Sequence, residues 1–235
     1  STYYVPTEFG DDHMHDLVTE KLTELDREHG TEGNRLFYLA VPPSAIPMLI
    51  REIGERRADD GWSRVIVEKP FGLDLVSAQR LNQEILRYFR ENEVFRIDHY
   101  LGKETVQNML ALRFANGIFE PLWTRQYVDH VQITVAESIG IEGRAAFYEK
   151  LGASRDVFQN HMLQLVAITA MEPPIDFDAD AVRNEKAKVL RATEVDAVVR
   201  GQYGAGYVEG KMVPGYREEE GVEPESTIET YVAAK

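Results

Sequence analysis

The run Val94-Phe95-Arg96-Ile97-Asp98-His99-Tyr100-Leu101-Gly102-Lys103-Glu104 changes character half-way along. Val94, Phe95 and Ile97 predict a buried strand over 94–98. Asp98, His99, Tyr100 and Lys103 then follow within six residues, and Thr105, Val106, Met109, Leu110, Leu112, Arg113 and Phe114 open a helical pattern. The polar cluster therefore falls where a strand ends and a helix begins, the edge at which open α/β sheets bind ligands. The free N–H groups of a helix start favour an anion there; Lys103 adds charge and Gly102 permits close backbone approach. Taken alone, Asp98-His99 reads as a cap beside a surface histidine.

The chain before this run has the same logic twice over. Residues 35–41, between Gly33 and Pro42-Pro43, are continuously apolar, as are 64–68 before Lys69-Pro70-Phe71-Gly72. Continuous apolarity predicts strands covered on both faces, as in a parallel sheet. Helical spacing fills 46–57 and the stretch holding Ala78, Leu81, Ile85 and Tyr88. Strand, helix, strand, helix, strand is a βαβ series. It is incomplete as a dinucleotide fold, because no strand followed by a glycine-rich turn precedes it. Near the start, Asp11-Asp12-His13-Met14-His15 resembles a metal motif. Two histidines at i and i+2 diverge by about 200° on a helix, so a solvated helix start is the better reading. Leu17, Leu22 and Leu25 continue that helix to His29-Gly30.

After Glu104 the pattern changes. A helix runs towards Leu122, interrupted at Asn116-Gly117. Residues 129–137 alternate Val131, Ile133 and Val135 with polar neighbours, predicting an antiparallel strand with one buried face. Residues 154–171 predict a helix; 195–202 and 227–233 alternate again, and the Gly-rich, charged 201–224 reads as a mobile loop. The fold class expected is therefore α/β plus α+β: an incomplete Rossmann-like parallel sheet over 1–98, then a truncated α+β domain with an antiparallel sheet over 99–235.

The composition narrows the functions. A formal charge of −14 over 235 residues argues against nucleic acid or an anionic membrane as partner. No apolar run approaches the roughly 20 residues of a membrane span; the candidate at 36–50 is broken by Pro42, Pro43 and Pro47. No Cys is present, which removes thiol catalysis and agrees with a cytoplasmic location.

A second cluster, Arg155-Asp156-Val157-Phe158-Gln159-Asn160-His161, shifts the balance. On an α-helix Asp156 and His161 stand roughly 140° apart, so a basic His161 needs a carboxylate from elsewhere, with Asp98 the obvious donor. The expected contact is about 2.6–3.2 Å, with the other nitrogen facing an open pocket. His161 also lies among Val157, Phe158, Leu163 and Leu165, and taken alone it reads as a core histidine.

Glu68-Lys69-Pro70-Phe71-Gly72, Arg96-Ile97-Asp98-His99-Tyr100-Leu101-Gly102-Lys103-Glu104 and Arg155-Asp156-Val157-Phe158-Gln159-Asn160-His161, in this order, closely resemble glucose-6-phosphate dehydrogenases. The resemblance extends to the flanks: 34–43, Gly143-Arg144 and Ala170-Met171-Glu172-Pro173-Pro174. It implies oxidation of glucose 6-phosphate at C1 with hydride transfer to NADP, or to NAD, the first step of the pentose phosphate pathway, in a homodimer or homotetramer. By the same resemblance His161 is the general base and Asp98 orients it. His99, Tyr100 and Lys103 bind the sugar phosphate, Glu137 and Asp156 accept from sugar hydroxyls, and Lys69 lies between sugar and nicotinamide with Pro42 and Pro43 on the cofactor side. Lys69-Pro70 is a candidate for cis–trans variation. No metal is implied. The family's nucleotide fingerprint and later substrate lysines are not in this sequence, which suggests the middle of a longer chain. A non-catalytic phosphosugar-binding or assembly protein is the alternative.

Overall fold

The computed structural model describes residues 2–6, 14–57 and 61–235, which form two compact units, Ser1–Ile97 and Asp98–Lys235. The Asp11-Asp12-His13 part of the metal-like motif lies outside the described residues.

In the first unit, α1 (Met14–His29) ends at Gly30, whose positive φ of 63° gives the left-handed stop that glycine takes most easily. Strands β1 (Arg35–Leu39), β2 (Ser63–Val67) and β3 (Val94–Arg96) pair in parallel in that order, with Phe37 opposite Val65 and Val65 opposite Val94. Helices α2 (Ile46–Glu55) and α3 (Leu75–Tyr88) form the crossovers. Two crossovers of the same hand, stepping the same way across the sheet, place both helices on one face. Leu39, Val65, Val67 and Val94 accordingly share a core with Ile46, Ile50, Leu81 and Ile85. The other face is not covered as continuous apolarity predicts: Leu36 and Tyr38 are 54% and 53% exposed.

Local chemistry sets the turn after β2. The Lys69-Pro70 peptide is cis, and Gly72 has φ 80°, with the Ala78 backbone nitrogen 2.5 Å from where a Cβ would stand. Only glycine fits that approach. Asp74 then caps α3 reciprocally: its carboxylate accepts from the Ser77 amide at 2.7 Å, and the Ser77 hydroxyl accepts from the Asp74 amide at 3.0 Å.

The second unit begins with a 3-10 turn, His99–Gly102, followed by α4 (Glu104–Phe114), which stops before Asn116-Gly117. No strand forms over 129–137. A strand exists through the partner that takes its backbone groups; this segment finds none among the described residues, and its alternation survives only as partial burial of Ile133 and Val135. α5 (Ala145–Ala153) leads through a kink at Gly152 into a π-helix, Ser154–Met162, which continues as α6 (Leu163–Ala170); α7 (Ala179–Ala192) packs on α6. β4 (Val198–Gly201) pairs antiparallel with β7 (Tyr231–Ala234). Between them the expected mobile loop is structured: β5 (Gly206–Val208) and β6 (Lys211–Val213) make a hairpin around Glu209-Gly210, both with positive φ. The following Tyr216 is fully buried with Ile141 and Ala145. The low hydropathy of that stretch hid one anchoring ring.

Candidate active site

The polar cluster at the strand end is assembled by its own turn. Asp98 caps the 3-10 turn, its Oδ1 accepting from the Tyr100 amide at 3.0 Å. The same oxygen lies 2.5 Å from Nδ1 of His161, whose side chain is 2% exposed. A carboxylate can only accept, so Nδ1 carries the proton and the lone pair is on Nε2, the tautomer a general base needs. Tyr100 stacks on the imidazole at 4.1 Å and 13°, and His99 meets it edge-on at 4.7 Å. Lys103 Nζ stands 3.7 Å from the centre of the Tyr100 ring. The other carboxylate oxygen, Asp98 Oδ2, is buried without a hydrogen-bond partner among the described residues.

The helix carrying His161 departs from the α-helical geometry assumed from sequence. The Leu163 amide reaches back to Phe158 O, five residues earlier, and the His161 amide is taken by Asn160 Oδ1 at 2.6 Å. In a π-helix positions i and i+5 are the hydrogen-bonded pair, so Asp156 and His161 fall on the same side of the helix. Their supposed 140° divergence is therefore incorrect as a reason for excluding Asp156. The short carboxylate contact on Nδ1 is nevertheless made by Asp98.

These features can hold a base, a buried counter-charge and a cation beside a helix start. Models of "Glucose-6-phosphate dehydrogenase, NAD binding domain" match residues 1–108, and models of "Glucose-6-phosphate dehydrogenase, C-terminal domain" match residues 110–235.

The chain belongs to the glucose-6-phosphate dehydrogenase family.

Glucose-6-phosphate 1-dehydrogenase 2 of Mycobacterium tuberculosis is 52% identical over 98% of this chain and 46% of its own length. Glucose-6-phosphate 1-dehydrogenase of Bacillus subtilis is 48% identical over 99% and 50%. A solved glucose-6-phosphate dehydrogenase in complex with glucose-6-phosphate superposes with a TM-score of 0.87 at 39% identity, covering 99% of this chain and 48% of that one. The chain thus spans about half the length of the relatives it matches. These likenesses do not favour the non-catalytic alternative.

Within this glucose-6-phosphate dehydrogenase segment, Asp98, His99, Tyr100, Lys103 and His161 come together, and Asp156 shares the π-helix with His161. Glu137 is exposed in the 129–137 segment that forms no strand. In the first unit Pro42-Pro43 follows β1 and Lys69 follows β2, so both stand at the carboxyl edge of the parallel sheet. Sequence reasoning missed the groups that fix α6. Arg113, 5% exposed, donates to Ile168 O and Met171 O at 2.7 Å each, and Trp123 Nε1 donates to Thr169 O at 2.8 Å. They satisfy carbonyls that a helix C-terminus leaves open, where a cation is also favoured by the helix dipole. The only sequence signal was an arginine set in the apolar stripe of α4; its partners are more than fifty residues away in the chain. Among the described residues no helix is long and apolar enough to cross a membrane.

Proposed function

We propose that this chain carries the substrate-oxidising centre of an NADP-dependent glucose-6-phosphate dehydrogenase, acting on C1 of glucose 6-phosphate to give the lactone. The observation that carries the proposal is the buried His161 imidazole, hydrogen-bonded at Nδ1 by Asp98 and stacked on Tyr100. His161 Nε2 takes the C1 hydroxyl proton, and Asp98 holds the tautomer and compensates the imidazolium that forms. Lys103, His99 and Tyr100 hold the phosphate, which positions C1 for the base. Asp156 and Glu137 accept from sugar hydroxyls.

Pro42, Pro43 and Lys69 suit a cofactor, since they share the carboxyl edge of adjacent parallel strands, the side on which such sheets bind nucleotides. When bound, NADP supplies the acceptor for the C1 hydride; NAD serves the same chemistry. The same reading divides the chain at 98/99 into a nucleotide domain and a substrate domain, in a cytoplasmic homodimer or homotetramer that binds neither nucleic acid nor membrane.

The test uses a complete enzyme in which this segment replaces the matching part of the Mycobacterium tuberculosis relative. His161→Asn should lower kcat by roughly 10²–10⁴-fold while KM for glucose 6-phosphate changes little. Retention of more than about a third of the parent kcat would overturn the assignment.

A further inference from the structure

The mechanism leaves two things unused: the unpartnered buried oxygen of Asp98, and a lysine on α7. Lys186 is half-buried, and its Nζ donates to Gln164 Oε1 at 3.0 Å. Gln164 lies three residues past His161, at the start of α6, so the contact pins the ammonium to the helix that continues from the histidine. A lysine hydrogen-bonded once and taken partly out of water needs a compensating negative charge. The buried Oδ2 of Asp98 is a carboxylate oxygen with no donor of its own among the described residues.

We propose that Lys186 is a positioning residue for the Asp98–His161 pair, its ammonium, held by Gln164, compensating the buried carboxylate and thereby restraining the proton affinity of the imidazole. The inference rests on the reading of His161 as a base. A carboxylate alone raises a histidine's basicity, and a base too strong is already protonated at its working pH. A cation fixed near the carboxylate opposes that rise.

The electrostatics of Lys186 agree with this placement. Burial pushes its ammonium below the ordinary lysine range, the Asp98 charge opposes that fall, and Arg183 on α7 adds to it. Charged and titratable groups lie on every element packed against the pair: α5 carries Tyr148, Glu149 and Lys150, Tyr231 and Glu229 stand on and just before β7, and Arg155 lies on the π-helix. The 98–103 turn supplies Asp98, His99, Tyr100 and Lys103, and the π-helix supplies Asp156. α4 contributes Glu104 and the buried Arg113, and α7 contributes Arg183, Lys186 and Glu185, which is ion-paired with Lys188. Arg113 is committed to the α6 carbonyls.

The test follows the imidazole signals of His161 by NMR against pH in the 235-residue chain, assigned by their loss in His161→Asn. Lys186→Met should raise the His161 titration midpoint by about one pH unit, and Lys186→Arg should restore most of it. A role in helix packing alone would lower Tm and leave the midpoint where it was. Gln164→Met, which frees the ammonium but keeps its stem, should give a smaller rise, and it decides the matter if Lys186→Met does not fold. Asp98→Asn separates the two readings. If it moves the midpoint while the Lys186 and Gln164 variants shift it by less than about 0.2 units, the Lys186 proposal is overturned and the dyad stands. If Asp98→Asn also leaves it unmoved, the dyad itself fails.

Discussion

Tyr100 is the residue on which the cluster turns: its amide holds Asp98, its ring stacks on His161, and Lys103 stands over that ring. The aromatic face keeps the lysine cation beside the site without consuming its hydrogen-bond donors. A phosphate can then be met by an ammonium already in place, and charge-assisted contacts of this kind are strong. In the complete enzyme, Lys103→Ala should raise KM for glucose 6-phosphate about 10–100-fold. It should hardly alter kcat/KM for unphosphorylated glucose, which never uses the contact. Steady-state kinetics with the two sugars checks this. Equal losses for both would show that Lys103 serves only to hold the Tyr100 ring.

At the scale of the element, the π-helix depends on how it begins. Gly152 adopts φ 62°, ψ 177°, a conformation open in practice only to glycine, and this kink separates α5 from the wider helix. It brings the Ala153 amide to Glu229 O at 2.8 Å and the Ser154 amide to Glu229 Oε1 at 3.1 Å, so a residue from just before β7 satisfies the first donors. Burial pushes the Glu229 carboxyl up, but the Ser154 hydroxyl and amide and the Arg200 charge outweigh it and leave it below the ordinary range. A Cβ at 152 would meet Glu229 Oε1 at 2.8 Å and its carbonyl oxygen at 3.2 Å. Gly152→Ala should therefore cost about 1–3 kcal/mol. Gly117→Ala, with no positive φ and open space around the added methyl, should be close to neutral. Urea unfolding of both variants is the check; equal costs would mean that the kink is not needed.

At the scale of the whole molecule, ionisation of buried and half-buried tyrosines sets an alkaline limit. Burial, with the charges of Asp156 and Glu229, pushes Tyr148 up to about 12. Burial and the hydrogen bond to Glu219 push Tyr203 to about 12, and burial with the Glu149 contact moves Tyr216 upward as well. Above the unfolded value of about 10 the native state binds more protons than the unfolded chain, so stability falls as pH rises. The contribution of these rings is complete below about 10 and is lost as pH passes through about 12. Phenolate absorbance followed with near-UV circular dichroism should show these three of the eleven tyrosines titrating last, together with loss of native signal. A single step for all eleven near pH 10, with native dichroism retained, would overturn this. The chain's own text determined the parallel series β1 to β3, the switch from apolar strand to polar turn at Asp98, and the family, because local periodicity and contiguous motifs carry each of these. Tertiary structure alone decided the rest. Among the described residues one sheet face keeps Leu36 and Tyr38 exposed because both crossovers fall on the other. Residues 129–137 lack a strand because pairing needs a partner that alternation does not name. Tyr216 anchors a stretch too polar to read as core. The π-helix puts Asp156 on the same side as His161 because its hydrogen bonds skip one residue more than an α-helix. Asp98, Arg113 and Lys186 meet their partners from 22 to 63 residues away, and such contacts are set by packing rather than by any pattern a sequence displays.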